Sequence, residues 1–230
     1  MTRSVAGQYH MTDYDDFNDV DGSSILLPAP GGCSGLAILS RWQILDKNFT
    51  QFSRQGKLSH VLSDGEYMAS KGVGRVRVAP RPGLQLDVFV THTIAEDGNH
   101  DIREQQADEL VAAVRGSDAD FVILGGDFNA SPLMEFDKTY AKVKAVMTDA
   151  FQEIMANIKA WLDTEFATFA NPRNTYTGAD PSLKPVIYDY IFHKKNVSQS
   201  YVRKNIYYFY IFYLLSISII SSPPSKMQLS

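Results

Sequence analysis

Residues 121–132 read FVILGGDFNASP, an apolar run that stops at two glycines and then sets an aspartate and an asparagine two positions apart. A short apolar run bounded by glycines reads as a buried strand. Gly125 and Gly126 let the backbone approach a neighbour closely, and period-two alternation expects Asp127 and Asn129 on one face at the strand's C-terminal end. A carboxylate and an amide oxygen so placed suit a hard divalent cation such as Mg²⁺ and can steer a phosphate or its attacking water. The bland alternative is a turn in which the two side chains only cap backbone groups.

The flanking sequence supplies partners. VFVTHT ends a second apolar run at His92, and IREQQADELVAAVRG, 102–116, has the spacing of an amphipathic helix that leads straight into GGDFN. A single β-α-β passage therefore brings His92 and Asp127 to neighbouring strand ends. Taken alone, His92 reads as an ordinary strand-end histidine. YDYIF places Asp189 in an apolar strand, where burial needs a hydrogen-bonding or cationic partner. SDGEYMASKGVG offers Lys71 beside a glycine, either as a phosphate contact or as a solvated loop lysine.

Other elements complete an alternating pattern. LAILSRWQI reads as one strand, VGRVRVAP and LQLDVFVTHT as a hairpin turning around residues 80–83, YAKVKAVMTDAFQEI as a helix and VIYDYIFHK as a strand. Interleaved hairpins and helices predict an α/β (α+β) sandwich. Before it, TDYDDFNDVDG and LLPAPGG read as a solvated helix or loop and a turn-rich connection.

Composition bounds the function. With 230 residues, 44% hydrophobic and 21% charged, the chain suits one globular domain, or one domain and a tail. A net charge of −4 gives no general field for a polyanion, so nucleic acid is not expected as a partner. Cys33 is the single cysteine and reads as a free structural thiol. The first thirty residues hold no apolar stretch of the signal-peptide kind, and export is not expected. Residues 206–220, IYYFYIFYLLSISII, carry no charge but fall short of the roughly 20 residues a membrane-crossing helix needs. A membrane-associated segment, a buried strand pair and sequence foreign to the fold are the three readings of that run. The expected division is a folded domain over 1–196 and an apolar tail over 197–230.

Taken in order, SGLAILSRWQI, ASKGVGRVRV, VFVTHTIAE, REQQADEL, GGDFNASP and YDYIF resemble the neutral sphingomyelinases of the magnesium-dependent endonuclease/exonuclease/phosphatase superfamily. The resemblance covers residues 34–195. It implies a four-layer α/β/β/α sandwich, incomplete here at both ends, and hydrolysis of sphingomyelin to ceramide and phosphocholine with Mg²⁺ as cofactor. By matching positions, His92 contacts the scissile phosphate or helps protonate the leaving ceramide oxygen. Asp127 and Asn129 place the water, the phosphate and the metal, and Asp189 orients neighbouring groups. Family members pair the lysine at Lys71 with an aspartate five residues earlier as a switch. Here that position is Glu66, with Asp64 close by.

Two departures follow from the same resemblance. The family's opening strand and helix carry an asparagine and the principal metal glutamate, and neither is matched by Asp13, Asp15, Asp16, Asp19 or Asp21. Its closing Ser-Asp-His turn has no counterpart, since the sequence contains no Asp-His pair. A general base commonly contributes about 10²- to 10⁴-fold, so little turnover is expected from these residues alone. A nuclease or phosphatase of the superfamily and a non-catalytic membrane-surface module are the alternatives. The implied partners are sphingomyelin and a membrane surface on the cytoplasmic side, together with an anionic lipid activator.

Overall fold

The computed structural model describes residues 10–13, 36–57, 66, 70–155, 167–169 and 185–196. Strands β1 (His10–Asp13) and β2 (Ala37–Ser40) pair antiparallel as a small sheet. A six-stranded sheet holds β3 (Ile44–Gln51), β4 (Gly72–Arg81), β5 (Leu84–His92), β6 (Phe121–Asp127), β7 (Thr148–Asp149) and β8 (Asp189–Lys195) in the order β3-β4-β5-β6-β8-β7. Helix α1 (His100–Arg115) makes the crossover between the parallel strands β5 and β6, and α2 (Thr139–Lys144) and α3 (Ala150–Met155) follow. The fold is mixed α/β, as the sequence predicts.

Alternation divides the six-stranded sheet into two faces. Val73, Phe89, Val122, Leu124, Tyr190 and Phe192 pack with Leu110 and Val114 of α1 and Tyr140 and Val143 of α2. On the other face Val76, Val78, Leu86, Val88 and Val90 pack with Leu36 and Ile38 of the small sheet. Burying each such side chain stabilises by about 1.5–3 kcal/mol, so both faces hold the sheet in place.

Several expectations need correction. The acidic run is not wholly helix or loop, because its first residues form β1 against β2. LAILSRWQI is two strands; the Ser40 hydroxyl accepts from Trp42 N–H and donates to Trp42 C=O, and this tight bend ends β2. The hairpin of β4 and β5 turns within residues 80–83 as expected, at Pro82–Gly83 with Gly83 at φ 71°, and only Pro80 differs in lying inside β4, where the register shifts. The helix expected over 140–154 is interrupted. Asp149 is buried there, its carboxylate accepting from Phe151 N–H, Gln152 N–H and the Tyr140 hydroxyl, which starts a new helix after the two residues of β7. Most of the acidic run, Cys33 and residues 206–220 lie outside the described residues. Among the described residues no helix is long and apolar enough to cross a membrane.

Candidate active site

Strand register assembles the site. His92 is paired with Asp127 across β5 and β6, and Asp127 with Asp189 across β6 and β8. The three residues form one row over three adjacent strands. Each shares the parity of Val90, Ile123 or Ile191 on its own strand, so all three sit on the face turned toward the small sheet, away from α1. His92 Nε2 lies 3.7 Å from Asp127 Oδ2, longer than a hydrogen bond.

Two residues before Asp127 the strand runs into GG, and the second glycine has a steric reason. A Cβ at Gly126 would fall 2.0 Å from the Thr91 carbonyl oxygen. At Gly125 a Cβ would meet only ordinary contacts, so close approach explains one glycine and not both.

Asn129 does not reach the site by strand alternation. The strand ends at Asp127, and Asn129 stands beyond it at φ 44°, in the left-handed region that asparagine tolerates. Its N–H donates to Asp127 Oδ1 at 2.8 Å and its side-chain amide donates to Thr93 C=O at 2.9 Å. The capping turn weighed as the bland alternative is therefore present. It uses one carboxylate oxygen of Asp127 and the amide nitrogen of Asn129, and leaves Asp127 Oδ2 facing His92.

The remaining candidates are Lys71 and Glu66. Lys71 is not a solvated lysine: its side chain is 2% exposed, and Nζ lies 3.2 Å from Glu66 Oε2. Glu66 is in turn held by Ala95 N–H at 2.8 Å. At Asp189, the backbone N–H groups of Tyr188 and Asp189 donate to Thr168 Oγ1, which anchors the start of β8.

Burial and charge set the protonation states. Burial lowers His92 to about 3, and the Lys71 charge adds to that, so the imidazole is neutral near pH 7. Burial, with the neighbouring Asp189 carboxylate, raises Asp127 to about 6 against the opposing Asn129 N–H and Lys71 ammonium. Burial also raises Asp189, opposed by its hydrogen bond with Thr168. Lys71 is lowered by burial, with Glu66 and Asp127 pulling the other way. The site thus holds a neutral histidine, two carboxylates unwilling to ionise together, and one buried cation.

A pair of carboxylates in this state is what a divalent cation would relieve. Magnesium is commonly held by only one or two carboxylates, with waters and substrate phosphates completing its six ligands. The donor chemistry of Asp127, with Asn129 beside it, fits that role. Among the described residues no three of His, Cys, Asp and Glu converge as a closed metal cage.

Sequence reasoning missed Arg103, Gln106 and Glu109 as individual anchors, although their spacing was visible. Arg103 is wholly buried; its Nε donates to Asp137 Oδ2 and one terminal nitrogen donates to the carbonyls of Ile94 and Glu96. Arg103 thereby ties together the two loops that follow β5 and β6, while Gln106 and Glu109 bond to Arg54 and Ser53 in the segment after β3.

A histidine and two carboxylates thus stand side by side at the ends of β5, β6 and β8, with buried Lys71 beside them. The chain belongs to the Endonuclease/Exonuclease/phosphatase family, whose sequence profile matches residues 5–208. No curated protein is significantly similar to it in sequence. Among solved structures it is similar to SmcL, at 23% identity and a TM-score of 0.50 over 73% of this chain and 56% of that one. It is also similar to beta toxin from Staphylococcus aureus, at 23% identity and a TM-score of 0.54 over 74% and 55%. A third is D. rerio TDP2 complexed with single strand DNA product, at 18% identity and a TM-score of 0.48 over 69% and 57%. Identities this low speak to the fold alone. This chain spans little more than half the length of each.

Proposed function

We propose that the site hydrolyses the phosphodiester of sphingomyelin to ceramide and phosphocholine, with Mg²⁺ as cofactor. The observation that carries the reading is the row His92, Asp127 and Asp189 on one face of three adjacent strands, with Lys71 near enough to lower His92 and offset Asp127. The choice of substrate is supported by the run of motifs SGLAILSR, SKGVG and THTIAE followed by R-x-x-Q-x-x-E-L. Asp127 and Asn129 would hold Mg²⁺, which when bound offsets the charge on the non-bridging phosphate oxygens.

The chain's own residues have separable tasks. Asp127, pushed up to about 6 by burial before a cation binds, is ionised at neutral pH, where it can hold Mg²⁺ and orient the attacking water. Neutral His92 donates a ring N–H to the phosphate or to the ceramide oxygen as its bond to phosphorus breaks. Lys71 adds positive charge from a dry position, and Asp189 keeps the row in register. A lipid substrate would put this work at a membrane face, proposed to be the cytoplasmic one, with anionic lipid as activator.

A nuclease would share these groups, so substrates separate the readings. Purified protein is incubated with sphingomyelin vesicles, single-stranded DNA and duplex DNA, with Mg²⁺ or with EDTA. Weak magnesium-dependent phosphocholine release, in keeping with the little turnover expected from these residues alone, that falls by about 10²-fold or to background in His92→Ala is the expected result. Cleavage of DNA without phosphocholine release would overturn the reading.

A further inference from the structure

Three polar residues of α1 converge on one lysine by two routes. Arg103, Gln106 and Glu109 follow one another at three-residue intervals, which places neighbours in the series on adjoining turns of one side of the helix. The first route runs through the loop after β5. Gln106 Oε1 accepts from Ile94 N–H at 2.8 Å, and Arg103 donates to Ile94 C=O at 2.8 Å and Glu96 C=O at 3.1 Å. The residue between them, Ala95, is thereby fixed, and its N–H holds the Glu66 carboxylate that faces Lys71 Nζ.

The second route runs through the segment after β3. Glu109 accepts from Ser53 N–H and from the Ser53 hydroxyl at 2.6 Å, and Gln106 Nε2 donates to Arg54 C=O at 2.8 Å. The next residue, Gln55, forms a pair of bonds with the Lys71 backbone: Lys71 N–H donates to its Oε1 at 2.8 Å, and its Nε2 donates to Lys71 C=O at 2.9 Å. Phe52 N–H also donates to Lys71 C=O. One helix face therefore fixes the ammonium of Lys71 from one side and its backbone from the other.

We propose that Arg103, Gln106 and Glu109 are positioning residues that hold Lys71 at the reaction centre from within α1. The consequence for catalysis rests on the proposed phosphodiesterase reading; the consequence for Lys71 does not. Both segments also carry local bonds, from Asn99 Nδ2 to Ala95 C=O at 3.1 Å, from Asn99 N–H to Glu96 C=O at 3.1 Å and from Gln55 Nε2 to Phe52 C=O at 2.6 Å, so losing the helix side chains loosens the two segments from α1 without unfolding them. A displacement of about 1 Å in a charged group of an active site can cost about 10²-fold in rate.

The test uses the full chain and two readouts. Gln106→Leu removes a bond from each route at nearly constant volume, Glu109→Ala removes part of the second route alone, and Val114→Ala shortens a buried core residue of the same helix as a control for lost stability. Arg103 is left intact, since its removal would strand buried Asp137. Each protein is acylated briefly with an amine reagent, and labelling at Lys71 is read by mass spectrometry. The expected result is about tenfold more Lys71 labelling in Gln106→Leu, a smaller rise in Glu109→Ala, and wild-type labelling in Val114→Ala. Equal labelling in all four proteins, or a rise in Val114→Ala matching Gln106→Leu, overturns the proposal. On sphingomyelin vesicles Gln106→Leu is expected to lose kcat with KM little changed, whereas a loss confined to KM counts against positioning. Labelling needs no substrate, so a protein that releases no phosphocholine contradicts the proposed activity and leaves the positioning result to stand on its own.

Discussion

Two aspartates on the same sheet meet opposite fates. Asp87, in the first half of β5, is fully buried, yet Arg77 grips both its oxygens at 2.7 and 2.8 Å, Ser117 donates at 2.7 Å and Arg75 stands beside it. Burial pushes its carboxyl up, but these partners outweigh burial and hold it below the ordinary carboxylate range. Asp127 has a second carboxylate as its cross-strand neighbour and no directly bound cation among the described residues, and it is pushed up to about 6. The two sites differ in compensation. A carboxylate that exists to stabilise the fold is surrounded by donors, whereas one kept for chemistry is left short of positive charge for a substrate or cation to supply.

That contrast can be broken at either end. Replacing Asp87 by Ala strands Arg77 with Asp118 as its remaining partner and is expected to destabilise the protein by about 3 kcal/mol, at the lower end for a broken buried pair because Arg77 keeps some exposure. Urea unfolding at pH 7 measures it, and a loss under 1 kcal/mol would remove Asp87 from the class of structural carboxylates. Asp127→Asn should act in the reverse sense. The folded pKa of Asp127 is raised, so its penalty is absent below the ordinary value near 4 and fully developed above about 6. In EDTA the variant should be about 2 kcal/mol more stable than wild type at pH 8 and indistinguishable from it at pH 4. A variant less stable at both pH values would mean that Asp127 is compensated after all.

His92 sharpens the comparison with the smallest expected effect. Its folded pKa is depressed, so the stability associated with the neutral ring is present above 6.5 and is lost as pH falls toward 3. Between pH 7 and pH 5.5 wild type should lose about 1 kcal/mol more than His92→Gln, read from melting curves in EDTA. Parallel loss in both proteins would place the titration elsewhere.

The elements that the sequence disclosed are those whose signal is local. FVILGGD, VTHT and the helix between them show their periods directly, and parallel pairing of β5 and β6 follows from the crossover. The breaks were hidden because each depends on a side chain doing something its position does not announce. Asp149 caps a new helix from inside an apparently continuous pattern, and Ser40 closes a bend within a run of strand formers. Asn129 reached the site through a left-handed turn, so the alternation argument placed it in the right neighbourhood for the wrong reason. The pairing of Lys71 with Glu66, five residues earlier, was legible through the resemblance, but nothing in SKGVG foretells that the ammonium is buried; that depends on Gln55 and on α1, which lie farther off in the chain.

The most direct test of the account is phosphocholine release from sphingomyelin vesicles by wild type and by Asp127→Asn, each with Mg²⁺ and with EDTA. The account predicts weak release by wild type with Mg²⁺ only, and its loss in a variant that is at least as stable at pH 8. Release that survives in Asp127→Asn, or that is equal in EDTA, would contradict it.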